Sequence, residues 1–169
     1  MKAYKSKIKR YIKEIFYFII TMSIVANLMS IYRSQSLNSE PLNIQTFHLI
    51  NDQEYSVQNN KPVLIHFWAT WCPTCKMEAS NIDFLSKYYQ VITIAVKSGS
   101  NKDIQNYLKE HNYHYKVVND KEGRIAQQFK ISAYPTTFIY DKEKKLRFSE
   151  VGYTSTPALW IRLLWAGNS

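Results

Sequence analysis

The chain has 169 residues, which is enough for one ordinary domain and an N-terminal extension. Only four glycines occur, which argues against glycine-rich loops, and the formal net charge of +9 is concentrated in the first 14 residues, with six basic side chains against one acid. The rest is mildly basic, and its one basic run, residues 142–147, lies in a turn-like segment, so we expect no nucleic-acid surface.

The N-terminal residues predict a membrane anchor. Residues 1–14 form a basic flank, and residues 15–32 carry no charged side chain. These 18 residues would form a helix of about 27 Å at ~1.5 Å per residue, adequate for a ~30 Å hydrocarbon core, with Tyr17 and Tyr32 at the interfaces. Because a basic flank stays in the cytoplasm, the sequence predicts a single-pass membrane protein whose body lies outside the cytoplasm.

Two alternatives remain for this segment, a cleaved signal peptide and a buried core helix. No clean small-x-small cleavage site follows Ile31. Both the anchor and the signal peptide would deliver the domain to an oxidising compartment. Residues 33–43 are polar and predict a linker, which leaves residues 44–169 as the folded domain.

The folded domain is predicted to alternate strands with helices, after a leading strand or hairpin that begins near Ile44. The predicted strands are the segment after Pro62 and residues 91–96, 115–118, 136–140 and 146–151. The predicted helices are residues 73–89, with Met77, Ile82, Leu85 and Tyr89 at helical spacing, residues 102–111 and 121–129, and a final helix capped by Thr156. This order predicts an α/β fold with a mostly parallel central sheet, helices on both faces and an antiparallel C-terminal hairpin.

The two cysteines of the chain, Cys72 and Cys75, are separated by two residues and lie where the first predicted helix begins. Unpaired N–H groups and the dipole at a helix N-terminus stabilise a thiolate. Pro73 lies just inside the helix, and Cys75 follows one turn later on the same side. The spacing predicts a redox-active dithiol in which Cys72 attacks a disulfide and Cys75 resolves the mixed disulfide.

The alternatives for this cysteine pair are a structural disulfide and half of a zinc site. A disulfide that closes so short a loop stabilises little. Zinc usually takes four ligands, and the four histidines, His48, His66, His111 and His114, show no matching spacing. We therefore predict no metal and no cofactor.

The stretch Phe67-Trp68-Ala69-Thr70-Trp71-Cys72-Pro73-Thr74-Cys75-Lys76-Met77-Glu78 resembles the active site of membrane-anchored thioredoxin-fold proteins of the TlpA/ResA/DsbE type. The likeness continues through Tyr134-Pro135-Thr136-Thr137-Phe138 to Gly152 and covers about residues 40–169. The end of the chain, residues 152–155 and 159–166, is similar to the ScsD branch, which is linked to suppression of copper sensitivity. The resemblance implies a thioredoxin fold and a protein-disulfide oxidoreductase with a Cys72–Cys75 disulfide.

The resemblance also implies a substrate-binding wall opposite the cysteines. Pro135 should follow a cis peptide bond that exposes the backbone of Tyr134 to a substrate strand, although an ordinary trans proline is the alternative. Many relatives carry Thr or Val where this chain has Tyr134, so substrate preference should differ. Trp71, with Pro73 and Thr74 between the cysteines, is expected to contact substrate.

Two further residues are candidates for redox tuning. Glu78 matches an acid near the active site of ResA-like relatives and is expected to tune the ionisation of Cys75 and relay protons, unless it is a solvated helix acid. His66 occupies the strand position where thioredoxins place a buried acid, and a core histidine with its hydrogen bonds satisfied is the alternative. His111 and His114 are conceivable copper ligands, but we expect them to be solvated.

Together with the resemblance, these observations predict an exported thiol–disulfide oxidoreductase that acts on protein substrates as a reductase rather than an oxidant. The expected location is the bacterial cytoplasmic (inner) membrane, crossed once, with the domain facing the periplasm or exterior. In an oxidising compartment its electrons must come from a membrane protein of the DsbD or ScsB kind. Three alternatives remain: a cytochrome c maturation thiol reductase, a disulfide-forming oxidant, and a non-enzymatic copper-binding protein that uses both cysteines as soft ligands. This chain departs from the pattern of cytochrome c maturation thiol reductases, because Thr136 stands where such proteins tend to carry an acid.

Overall fold

The computed structural model describes residues 11–22, 24, 25, 28, 37 and 40–169. Residues 11–22 are helical (α1), and their apolar side chains are exposed. In the part of the chain that the structure describes, no helix is both long and apolar enough to cross a membrane. Residues 1–10 of the predicted basic flank, and parts of the predicted anchor (15–32) and linker (33–43), lie outside the described residues.

The domain begins with a short hairpin, continues through a five-stranded sheet and ends on a helix. In chain order its elements are β1 (Thr46–His48), β2 (Glu54–Ser56), β3 (Val63–Trp68), α2 (Pro73–Ser86), β4 (Gln90–Val96), α3 (Asn101–Glu110), β5 (Lys116–Asp120), α4 (Arg124–Gln128), β6 (Thr136–Tyr140), β7 (Leu146–Val151) and α5 (Thr156–Asn168). The hairpin predicted from residue 44 onward is therefore present, as β1 paired antiparallel with β2.

The central sheet has the strand order β5-β4-β3-β6-β7. β3 pairs parallel with β4, and β4 pairs parallel with β5, whereas β6 is antiparallel to both β3 and β7. The expectation of a mostly parallel sheet is thus corrected to a mixed one. The C-terminal hairpin does not simply add an edge: its first strand lies against the central strand, which explains why β6 is buried at all five positions.

Both faces of the sheet are covered. β3 is buried at all six positions, and because side chains alternate along a strand, Leu64, His66 and Trp68 point to one face. Leu64 and Trp68 pack there with α2, α5 and the two cysteines. The other face is a separate apolar cluster built around Phe67, Phe129 and Phe138, whose rings are 5.0–5.9 Å apart.

Two helix boundaries differ from the sequence prediction. α5 begins at Thr156, and its N-cap residue is Ser155, which makes no side-chain capping bond, so Thr156 is not the cap. α4 is shorter than predicted because Gly123 precedes it with a left-handed φ of 78°. The Asp120 carboxylate accepts a hydrogen bond from the Ala126 N–H at 2.8 Å and fixes this late start.

Candidate active site

Cys72 and Cys75 lie at the carboxyl end of the central strand, where β3 turns directly into α2. They form a disulfide with a Cα–Cα distance of 5.3 Å. Cys72 is the N-cap residue of α2, and its Sγ accepts the Cys75 N–H at 3.2 Å. Pro73, the first helical residue, removes an N–H that would have no helical partner. A helix N-terminal N–H therefore points at the Cys72 sulfur, as a nucleophilic thiolate requires.

The disulfide is enclosed while its neighbours are exposed. Cys72 is 5% exposed and Cys75 2%, whereas Trp71 is 57% exposed. Pro73 is also exposed and Thr74 is half-buried, so the three predicted substrate-contact residues of this stretch are reachable from solvent. Met77, one of the residues at helical spacing in the predicted helix, is 68% exposed. The two sulfurs are therefore nearly closed to solvent, while Trp71, Pro73 and Thr74 beside them can contact a partner.

The loop after β4 holds the cysteine loop in place. The Trp71 Nε1–H donates to the Lys97 carbonyl at 3.1 Å, and the Thr70 N–H donates to the Ser98 Oγ at 3.0 Å. The Ser98 hydroxyl in turn donates to the Val96 carbonyl at 3.0 Å. Sequence reasoning saw only a loop here. The available signal was the parallel pairing of β3 and β4, which brings their carboxyl ends to one edge of the sheet.

The opposite wall of the site is the segment that leads into β6. The Tyr134–Pro135 peptide bond is cis, as the resemblance implies, and the Tyr134 carbonyl oxygen lies 3.7 Å from the Cys72 Sγ. The Tyr134 ring meets the Trp71 ring edge-on, with centroids 5.7 Å apart. Burial raises the pKa of Tyr134, with a smaller contribution from Asp120. The structure therefore brings Trp71, Tyr134 and Pro135 together around the sulfurs.

Glu78 is fully buried one helical turn after Cys75. Burial raises the pKa of its carboxyl group to about 8; the backbone of Thr154 opposes this rise and the charge of Glu150 adds to it. Among the described residues, neither carboxyl oxygen has a partner within hydrogen-bonding geometry. The alternative of a solvated helix acid is wrong. At neutral pH the Glu78 carboxyl group is therefore mostly protonated, one helical turn from Cys75.

His66 is 2% exposed, in the middle of β3, on the sheet face that α2 covers. Its Nδ1 lies 2.9 Å from the Thr137 Oγ1 on the neighbouring strand. Burial lowers the pKa of His66 to about 3, so the imidazole is neutral at physiological pH. This hydrogen bond fits the core-histidine alternative, and a relay to Cys75 stays a prediction.

The other histidines are engaged elsewhere. His111 stacks on Tyr107 with ring centroids 4.4 Å apart, and the backbone N–H of His114 donates to the Asp83 carboxylate at 2.6 Å. Both histidines are exposed, as expected. Within the described ranges, no group of three or more His, Cys, Asp or Glu side chains is arranged to hold a metal ion.

Comparison with known proteins places this site among thiol–disulfide enzymes. The model of the AhpC/TSA family matches residues 41–149. A "Thioredoxin-like protein" of Haemophilus influenzae is 31% identical over 164 residues, which cover 95% of this chain and 97% of that protein. The thiol-disulfide oxidoreductase ResA of Bacillus subtilis is 31% identical over 97 residues (55% of this chain, 54% of ResA). The thiol:disulfide interchange protein DsbE of Escherichia coli K12 is 33% identical over 110 residues (62% and 58%).

A solved structure agrees with these relatives. The pneumococcal exposed lipoprotein thioredoxin Etrx1 of Streptococcus pneumoniae superposes with a TM-score of 0.63 at 25% identity and covers 71% of this chain and 97% of Etrx1. None of these matches singles out the ScsD branch, which stays a prediction. The chain belongs to the AhpC/TSA family, as a thioredoxin-like oxidoreductase whose Cys72 and Cys75 are joined in a disulfide.

Proposed function

We propose that this protein is an exported, membrane-anchored reductase of disulfides in protein substrates. The observation that carries the proposal is the position of Cys72. It caps α2, accepts an N–H from the helix, and faces the Tyr134 carbonyl across 3.7 Å. A nucleophilic sulfur and a strand-pairing backbone edge on opposite sides of one opening suit an attack on a disulfide carried by an extended peptide.

The reaction is a two-step exchange. The Cys72 thiolate displaces one sulfur of the substrate disulfide; that sulfur leaves as a thiolate and takes up a proton, and a mixed disulfide forms. Cys75 then loses its proton and attacks the Cys72 Sγ, which releases the second substrate sulfur and closes the Cys72–Cys75 bond. Two electrons pass from the dithiol to the substrate, and the disulfide state described above is the product that a donor must reduce again.

Substrate contact is assigned to Trp71, Pro73, Thr74, Tyr134 and Pro135. Trp71 offers an exposed indole face and makes an edge contact with the ring of Tyr134, whose carbonyl oxygen faces Cys72. A substrate strand would pair with the Tyr134 backbone while its side chains pack on the indole. This arrangement favours extended protein segments over small disulfides.

Proton handling is assigned to Glu78, with His66 as a second candidate. Glu78 lies on the same side of α2 as Cys75, is buried, and has a pKa raised to about 8. The ionised form of Glu78 accepts the proton that Cys75 loses in the second step, and the protonated form returns a proton in re-reduction. The neutral His66 lies on the central strand, where its ring contacts Thr137 of the neighbouring strand.

The anchor and the electron source complete the proposal. Residues 1–14 stay in the cytoplasm, residues 15–32 cross the inner membrane, residues 33–43 form a linker, and residues 44–169 act on the far side. The proposal is supported by the exposed apolar side chains of the helical residues 11–22, which run from 37% exposed at Ile20 to 66% at Phe18. A membrane protein of the DsbD or ScsB kind would supply the electrons.

The decisive experiment is a redox titration of the Cys72–Cys75 pair in the full chain. A potential near about −270 mV supports a reductase, whereas a potential near about −120 mV would make the protein an oxidant. Trapping with Cys75→Ala should accumulate mixed disulfides with exported proteins, and Cys72→Ala is the matched control that should trap none. Recovery of the full chain in membranes after alkaline extraction tests the anchor separately.

A further inference from the structure

The loop between β7 and α5, residues 152–155, lies between the cis-proline wall and α2 and is held from both sides. Its first residue, Gly152, donates its N–H to the Pro135 carbonyl at 2.8 Å. Its third residue, Thr154, accepts a hydrogen bond at its carbonyl oxygen from the Asn81 side-chain amide of α2 at 3.2 Å. The Asn81 amide also lies 3.4 Å from the Tyr153 hydroxyl. The loop therefore bridges the cis-proline wall and the cysteine helix.

Asn81 and Glu78 lie three residues apart on α2 and so share one face of the helix. Thr154, which Asn81 holds, is itself only 8% exposed, and its backbone is close enough to act on the Glu78 carboxyl group. Asn81, which holds the loop, is thus next to Glu78 on the helix. Removing the Asn81 side chain would leave the Gly152–Pro135 hydrogen bond at the other end of the loop.

We infer that Asn81 is a positioning residue that clamps the 152–155 loop over the Glu78 carboxyl group and keeps water away from it. This inference rests on the proposed role of Glu78 in the exchange reaction. Opening the clamp admits water, which stabilises the carboxylate and makes Glu78 ionise at a lower pH. Burial is the largest cause of the raised pKa of Glu78, so this effect outweighs loss of the Thr154 backbone contact, which by itself lowers that pKa. Glu78 is then a weaker base towards Cys75, and the exchange acquires a different pH dependence.

The charged and titratable groups around Glu78 define what the clamp acts against. Glu150 of β7 raises the pKa of Glu78, but Glu150 is paired with Arg162 of α5 at 2.9 Å. Cys75 precedes Glu78 on α2, and His66 of β3 lies on the covered sheet face with a lowered pKa. No cation pairs with Glu78 among the described residues, so exclusion of water is the main reason that its proton is held.

The test is a titration of the Glu78 carboxyl group by ¹³C NMR in the full chain, together with the pH profile of mixed-disulfide resolution. Asn81→Ala should lower the midpoint of Glu78 by at least about one pH unit, and the pH profile should move by the same amount. Alanine is the best helix former, so α2 should remain intact. Asn81→Gln should partly restore the midpoint, and Ser80→Ala, an exposed change on the same helix, should leave both measurements unchanged.

A second variant approaches the clamp from the loop. Gly152 has φ of +98°, a conformation that a side chain strains even though a Cβ there would meet no atom within 4 Å. Gly152→Ala should displace the loop and lower the Glu78 midpoint without touching α2. An unchanged midpoint in both Asn81→Ala and Gly152→Ala would overturn the clamp. A lowered midpoint with an unchanged pH profile would uphold the clamp and remove Glu78 from the proposed reaction.

Discussion

The Nδ1 atom of His66 lies 2.9 Å from the Oγ1 atom of Thr137, across the antiparallel pairing of β3 and β6. This contact joins β3, which leads into the cysteines, to β6, which follows the cis-proline wall. The pKa of His66 is lowered to about 3 by burial, so the contact is made by a neutral imidazole. Protonation of His66 at low pH should therefore destabilise the core.

His66 should make the fold sensitive to acid. Its folded pKa of about 3 lies below the ordinary 6.5, so the unfolded chain binds the proton first as the pH falls. Stability should drop by about 1.4 kcal/mol per pH unit between about 6 and 3. Denaturant unfolding at pH 4.5 and 6.5 should show this drop in the wild type and a smaller one in His66→Gln. His111→Gln, at an exposed histidine, should keep the wild-type dependence; an equal drop in both variants would exclude His66 as the cause.

Glu78 should make the fold sensitive to alkali. Its folded pKa of about 8 lies above the ordinary 4.5, so the folded chain keeps a proton that the unfolded chain has lost. Stability should fall by about 1.4 kcal/mol per unit as pH rises between about 5 and 8, and should level off above the folded pKa. Glu78→Gln keeps the shape of the side chain and should flatten this part of the curve. A fall of unchanged slope in Glu78→Gln would mean that another group is responsible.

Ser98 should control how well the cysteine loop is formed. Its hydroxyl accepts the Thr70 N–H and donates to the Val96 carbonyl, and Ser98 is itself buried. Ser98→Ala leaves the Thr70 N–H without its partner, which should cost about 1–3 kcal/mol of unfolding free energy. Thermal unfolding and the rate of Cys72 alkylation in the reduced protein should both change. Ser132→Ala, at an exposed serine, is the control, and equal effects of the two changes would contradict the assigned role.

Trp71 should matter for protein substrates and little for small ones. Trp71→Ala removes the indole contact with Tyr134 and the hydrogen bond to the Lys97 carbonyl, while the disulfide remains. Loss of an aromatic anchor of about 1 kcal/mol corresponds to about a fivefold rise in KM for a protein disulfide. Trp71→Phe retains a ring without the hydrogen bond and should lie between. Equal losses with a small aromatic disulfide would point to damage at the sulfurs instead.

The site could be predicted from the sequence where local pattern decides the structure. The cysteine spacing, the proline after Cys72 and the unbroken apolar run of β3 are local, and they located the disulfide at a helix start. The pattern could not show that β6 pairs antiparallel with β3, because β6 is buried on both faces and its burial fits either neighbour. Helical spacing identifies a face but not whether anything covers it, and Met77 on α2 is exposed.

Contacts between distant loops were the other part that sequence reasoning missed. Ser98 and Asn81 are ordinary polar residues in the sequence, and their roles come from partners 28 and 73 positions away. Buried polar groups need partners, but the sequence does not say which ones. The order of strands and helices therefore followed from periodicity and the thioredoxin fold from the resemblance, whereas the contacts that support the site required the three-dimensional pairing.

The separation of Cys72 from Tyr134, 62 positions along the chain, has a consequence for biogenesis. Synthesis proceeds from the N-terminus, so both cysteines emerge before the segment that forms the opposite wall. Closing the ring between Cys72 and Cys75 involves only neighbouring residues, whereas the wall depends on the long-range pairing of β3 with β6, which forms slowly. In an oxidising environment, a newly made chain can therefore already be oxidised while it still lacks the surface that selects its partners.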